Sequence, residues 1–410
     1  MNKKLSIALL GACFTLSICF AQTTAQWRGA NRDGQYTETQ LLKTWPENGP
    51  SMLWSNDSIG DGYGSVAIDN NRIFVNGEID SISQVFAFNT NGKLLWKTPN
   101  GKEFIGSGFT NKFAGARSTP TVTGDLVYAC SGIGRIICLD VKTGKEKWAV
   151  DMLKQFGGIM GGFGYSESLL LDGDKLFCFP GGTEKNAVAL NRFTGEAIWV
   201  SKVLGDTISY CSPMLIKLPT RNVVVNMTNY YIFGLDAATG ELLWSHKQEK
   251  VERKQQCNTP IFADGYIYYL AGDGNGAVKL ELSVDGKTIK EIWRYSNVKN
   301  NFNGFVKMGN FLFAAEKAQK MKCIDSKTGI IADSAKIGNG VVIAADGMLY
   351  FYSDKGDINL IQINDSKMNV TGKLKITKGT KEHFAHLAIS KGVLYVRHGK
   401  SLMAYDIKGQ

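Results

Sequence analysis

The chain has 410 residues, 44% hydrophobic, 11% aromatic and 20% charged, with 46 glycines, four histidines and a formal net charge of +10. This balance excludes a disordered chain, and no apolar run beyond residue 21 is long enough to span a bilayer as a helix. The basic excess forms no stripe for a phosphate backbone: its densest stretch, 247–254, mixes both signs, so nucleic acid is not an expected partner.

The first predicted element is a secretion signal over residues 1–21, with Lys3 and Lys4 ahead of an apolar run from Leu5 to Phe20 and small residues before Gln22. It predicts export to the periplasm or beyond. A lipid anchor at Cys13, after Leu10-Gly11-Ala12, is the alternative; it would leave the apolar run Phe14 to Phe20 on the mature chain. Six cysteines follow: Cys130, Cys138, Cys178, Cys211, Cys257 and Cys323. They form no CxxC and no adjacent pair, so buried free thiols are expected rather than a disulfide framework.

From Gly64 onward a phrase of short strand, tight turn and second strand recurs eight times. It is GSVAIDNNRIFV first, then STPTVTGDLVYAC, SESLLLDGDKLFC, CSPMLIKLPTRNVVV, NTPIFADGYIYYL, NGFVKMGNFLFA, VVIAADGMLYFY and AHLAISKGVLYV. A second phrase follows most of them: FNTNGKLLW ending at Trp96, LDVKTGKEKW at Trp148, LNRFTGEAIW at Trp199, LDAATGELLW at Trp244, and the variant ending at Trp293. The tryptophans stand 52, 51, 45 and 49 residues apart, the length of a four-stranded propeller blade. The pattern predicts an all-β, eight-bladed β-propeller occupying residues 22–410 as a single domain. The last unit stops where its Trp strand should begin, while GPSMLW, ending at Trp54, stands unpaired before the first blade. The N-terminal strand is therefore expected to complete the last blade and close the ring.

The LDxxTGxxxW phrase resembles the tryptophan-docking motif of the pyrroloquinoline quinone (PQQ)-like β-propellers. That superfamily includes quinoprotein dehydrogenases and the propeller subunit of the outer-membrane β-barrel assembly machinery. WRGANRDGQY (27–36), GYSESLLLDGDKLFCFPGG (164–182) and HLAISKGVLYVRHG resemble secreted PQQ-like repeat proteins in particular. The resemblance implies Trp54, Trp96, Trp148, Trp199, Trp244 and Trp293 as docking residues. Blades six and seven depart from it, with Asp333 in place of one Trp and none in the next, so Ile331 or Leu374 is expected to fill the space.

Equivalent inner-strand positions supply the candidate site. Counting back from a Pro-like position places Tyr63, Arg117, Tyr165, Tyr210, Cys257, Asn301, Asn339 and Phe384 in one tier, and Ser65, Thr119, Glu167, Ser212, Thr259, Asn303, Val341 and His386 in a second. One reading has these side chains pack and hydrogen-bond between blades, with Arg117 and Glu167 as a salt bridge locking blades two and three. The other is a polar mouth in which Arg117 anchors an anion, Glu167 supplies a carboxylate, the tyrosines form walls and His386 titrates. No metal site is expected, and NRDG at Asn31 reads as a turn rather than a calcium loop. The reading that follows is a binding scaffold for an envelope protein, peptide or glycan, monomeric and without a cofactor. The alternative, implied by the resemblance, is a quinoprotein-type oxidoreductase acting on an alcohol or sugar, with PQQ and calcium and with Glu167 and Arg117 as catalytic candidates. No CxxCH haem motif is present.

Overall fold

The computed structural model describes residues 24–409 except 253, 273, 274 and 301. The expected signal segment, the Cys13 anchor and the candidate Asn301 lie outside the described residues.

Eight antiparallel sheets, each with its first strand innermost, form blades over residues 67–102, 121–151, 170–201, 214–247, 261–295, 305–335, 340–375 and 388–406. The last is completed by Met52–Asn56, which pairs antiparallel with Ser401–Asp406 and sets Trp54 opposite Ala404. The predicted closure is therefore present, and it leaves no blade with a missing outer strand. The hydrophobic core is divided among eight seams between consecutive blades, the last joining blade eight back to blade one through Phe86, Phe88, Tyr395 and Leu402. Each inner residue of a strand serves one seam and its neighbour serves the next, so the strands read as near-continuous apolar runs.

The outer tryptophans fasten these seams. The indole N–H groups of Trp54, Trp96, Trp148, Trp199 and Trp293 donate to carbonyls of the next blade's turn, at Thr90, Val141, Arg192, Ala237 and Ser326, over 2.7–3.2 Å. The ring lies on that turn's glycine, for example Trp199 on Gly240 at φ 77°, where any Cβ would collide with the indole. This explains the glycine ahead of the outer strands of blades one to four and six: it receives the preceding blade's ring. At Trp244 the lengthened turn of blade five sets Gly286 against Leu218 and Val223 instead, and the Trp244 N–H has no partner among the described residues.

The two departing blades are repaired by different means. Asp333 pairs with Lys367 at 3.2 Å and accepts from the Met368 N–H, replacing an indole with an ion pair on the blade-seven turn. In blade seven the position opposite Leu360 is Gly372, and Trp45 from the N-terminal segment lies directly over it; a Cβ on Gly372 would stand 2.7 Å from that of Trp45. Trp45 joins Tyr350, Leu374 and Tyr405 in the seam between blades seven and eight. Leu374 thus contributes as expected, but the missing indole is supplied from outside the repeat. Ile331 packs in the seam between blades five and six and does not fill the Asp333 position.

The N-terminal segment also occupies the axis of the ring. Ala25 bridges Val122 on the inner strand of blade two, and Gln35–Tyr36 runs parallel to Gly340–Ala345 of blade seven. Between them Arg28 and Arg32 adopt positive φ (61° and 60°) and send fully buried guanidinium groups into opposite walls. Arg28 donates to the carbonyls of Val342 and Phe305. Arg32 donates to those of Ser168, Leu169 and Pro213 and to Gln26. The WRGANRDGQY phrase is therefore an axial plug, and its NRDG turn is where the chain reverses inside the channel.

Candidate functional site: an aromatic cavity over the plug

The inner strands leave a cavity of about 340 Å³ where they begin, closed below by Trp27 of the plug. Its walls are Tyr63, Phe109, Phe113, Phe163, Tyr210, Phe302 and Phe384, with Arg117, His386, Cys257, Gln255 and three serines between them. On one side Tyr63 contacts Phe384 at 5.8 Å between ring centroids and Phe384 contacts Phe302 at 4.6 Å. On the other, Phe109, Phe113, Phe163 and Tyr210 form a chain with spacings of 5.3–6.1 Å. Arg117 links the two, with its guanidinium carbon 5.1 Å from the Tyr63 ring and 5.8 Å from that of Phe163.

Of the residues predicted from sequence, Tyr63, Arg117, Tyr210, Cys257, Phe384, Ser212 and His386 line this cavity, while Tyr165, Glu167 and Asn303 do not. The reason is a one-residue slip in blades three and six, two of the five blades that lack proline at the reference position. Pairing of Leu170–Asp172 with Lys175–Cys178 places Leu169, not Ser168, at that position in blade three, and the corresponding residue in blade six is Phe305. Because side chains alternate, the slip moves Tyr165, Glu167 and Asn303 to the far face and brings Ser166, Ser168 and Phe302 to the cavity. Tyr165 is buried and donates to the Pro180 carbonyl at 2.5 Å. Asn303 bonds Asn339 at 2.5 Å and reaches the Ala315 carbonyl at 3.5 Å. Phe302 was within reach of the sequence, since counting back from the Met308-Gly309-Asn310 turn rather than from a proline reaches it.

Ser65, Thr119 and Ser212 of the second tier bond between blades, with Ser168 standing where Glu167 was expected. The backbone N–H of Ser65 donates to Thr119, that of Thr119 to the Ser168 hydroxyl, and that of Ser168 to the Ser212 hydroxyl, each at 2.9–3.0 Å. This belt of hydroxyls joins blades one to four at the floor of the cavity. The expected salt bridge of Arg117 with Glu167 is absent: Arg117 donates to the carbonyls of Gly115 and Phe113, at 2.8 and 2.5 Å.

Glu167 accepts from the Phe179 N–H through one oxygen, and its other oxygen is buried without a partner among the described residues. Burial pushes its carboxyl up to about 8, against the pull of that N–H and of the Arg32 charge. Between the unfolded value near 4.5 and about 8 the folded state holds a proton the unfolded state has lost, so Glu167 removes stability as pH rises through that window. Glu167→Gln is accordingly expected to flatten the dependence and to raise stability at pH 8 by on the order of a few kcal/mol. Urea denaturation at pH 5 and pH 8 checks it; parallel losses in both proteins would remove the assignment.

His386 does not serve as a titrating group. A guanidinium only donates, so the 2.9 Å contact from Arg28 fixes Nδ1 as an acceptor, while the ring also bonds the Phe302 backbone. Burial and the adjacent Arg28 hold its pKa well below the ordinary histidine value. Burial likewise lowers Arg28 to about 10 and Arg32 to about 9, which leaves both cationic at neutral pH. The thiols of all six described cysteines are free, and five are buried.

A calcium-bound PQQ does not fit this donor set. Among the described residues the cavity lining holds no aspartate or glutamate to ligate calcium and one guanidinium to face a cofactor with several carboxylates.

An eight-bladed ring whose tryptophans dock on the glycine turns of the next blade defines a PQQ-like β-propeller. Residues 83–335 match the family model described as outer membrane protein assembly factor BamB, and the chain belongs to that family. The assembly factor of Moranella endobia is 21% identical over 295 residues, which cover 68% of this chain and 71% of that protein. That of Kangiella koreensis is 26% identical over 207 residues, covering 50% and 47%. Among solved structures, BamB from Moraxella catarrhalis superposes with a TM-score of 0.64 at 14% identity, covering 87% of this chain and 99% of that one. A quinohemoprotein alcohol dehydrogenase from Comamonas testosteroni gives 0.52 at 14% identity, covering 93% and 79%. At such identities the structural likeness concerns the fold alone.

Proposed function

We propose that the protein is a binding scaffold of the cell envelope that presents the loops around the aromatic cavity to an envelope protein of an outer-membrane assembly process. Family membership carries this reading, since the curated relatives are outer membrane assembly factors. The loops leading into blades two and three offer apolar contact groups, with Ile105, Phe109 and Ile159 39%, 66% and 48% exposed. No helix among the described residues is long and apolar enough to cross a membrane. The quinoprotein alternative is the weaker one because the cavity's donor set does not suit a calcium-held quinone.

Photo-crosslinking residues placed at Phe109 and Ile159 in intact cells should give a discrete adduct with an envelope protein, whereas the same group at Ile292 on the outer strand of blade five should not. Equal labelling from both places would overturn the scaffold reading. So would saturable binding of PQQ with calcium accompanied by dye-linked oxidation of an alcohol or sugar.

A further inference from the structure

We infer that the cavity above the plug is a binding site for a small aromatic monocarboxylate, a role separate from the loop surface proposed above. Three observations converge on that chemistry. First, the space of about 340 Å³ is bounded mainly by rings and is blind, because Trp27 closes its floor and contacts His386 edge-on at 5.2 Å. A blind cavity of this size takes one or two fused rings and has no passage through the ring of blades. Two aromatic walls suit a planar ligand, whose faces and edges find complementary quadrupoles on them.

Second, the one charged group in the lining among the described residues is the cation Arg117, placed between the walls. Two of its five N–H groups are used on the Gly115 and Phe113 carbonyls, so the fork is held in position with donors to spare. Burial lowers its pKa, and the buried carboxyl of Glu103, which interacts with it electrostatically, is pushed upward by its own burial and makes no ion pair with it. Arg28 lies just below, bonded to carbonyls and to a neutral His386, and adds to a positive potential that no lining carboxylate offsets. Glu382 is not in the lining and accepts from the Tyr63 hydroxyl at 2.7 Å.

Third, a hydroxyl is left over. The Ser166 side-chain oxygen lines the cavity, is shielded from solvent and has no partner among the described residues. A buried hydroxyl without a partner, in the same lining as an incompletely paired guanidinium, is a ready second contact for a carboxylate or a ring substituent. A single cation selects one negative charge, so the site suits a monoanion and discriminates against a polycarboxylate, which would bring charges with nothing to meet them.

The test uses the purified full chain without a partner, so that failure here and failure of the scaffold reading are separate results. Isothermal titration with indole-3-acetate should give one site with a dissociation constant of about 1 mM or tighter. Indole-3-acetamide, the same shape without the charge, should bind at least about tenfold more weakly. Arg117→Gln, checked for an unchanged circular dichroism spectrum and melting midpoint, should bring the acid and the amide to equal affinity. Should that variant unfold, the comparison of acid with amide on the unaltered protein still decides. Equal affinity for acid and amide, tighter binding of PQQ with calcium than of the monoanion, or no binding of either indole at millimolar concentration would each overturn the assignment.

Discussion

Replacing Arg32 by alanine is expected to destabilise the protein by about 3–5 kcal/mol, the largest single effect foreseen for the axial plug. The guanidinium is 1% exposed and satisfies the carbonyls of Ser168 and Leu169 in blade three and of Pro213 ahead of blade four. Each lies just ahead of an inner strand, outside its ladder; truncation removes the Arg32 donor from the Ser168 and Pro213 carbonyls, while that of Leu169 keeps the Thr121 hydroxyl at 2.6 Å. Relief of burying a charge offsets part of this loss, since no carboxylate forms an ion pair with Arg32. Arg32→Met keeps volume and apolar packing while removing the donors, and comparison of the two variants separates the void from the hydrogen bonds. The measurements are urea denaturation and amide exchange over residues 24–36, which should speed up in both variants. An unchanged midpoint would show that the plug contributes nothing to holding the ring.

Trp45→Ala is expected to cost about 3–5 kcal/mol as well, by the cavity it opens between blades seven and eight. Trp45 is 7% exposed and packs over Gly372, against Tyr350 and Leu374. Its indole N–H has no partner among the described residues, in contrast to the five docking tryptophans that donate to a turn carbonyl. Trp45→Phe should therefore lose only ring area and cost about 1 kcal/mol, whereas the same change at Trp199 also strands a carbonyl. Denaturation midpoints of the three variants check the order. If Trp45→Ala is as mild as Trp45→Phe, the indole is not what holds that seam.

How far the sequence carried the structure depended on whether a feature repeats. The turn glycines and tryptophans recur at near-constant spacing, so blade number, strand order and docking partner were legible, and the surplus strand at Trp54 made the closure legible too. Where a proline marked an inner strand its phase was fixed, and of the five strands without one the alignment slipped in two. In blades three and six Leu169 and Phe305 stand at that place, and a period of two turned one residue of uncertainty into an exchange of Glu167 for Ser166 and Ser168. Arg28, Arg32 and Trp45 occur once each, in a segment with no repeat to compare. No local pattern tells that a guanidinium will bond carbonyls more than 130 residues away, as Arg32 does.

The sequence by itself thus determined the ring: eight units, each unable to bury its faces alone, joined by indoles and closed by the N-terminal strand. Local periodicity and turn chemistry suffice for that because every blade solves the same packing problem with its neighbours. Only the tertiary structure decided what lies on the axis. There the eight inner strands converge, the plug fills one end with two arginines held by carbonyls, and the space that remains becomes an aromatic cavity around Arg117. That arrangement depends on contacts among residues from distant blades, and spacing along the chain does not encode which of them meet.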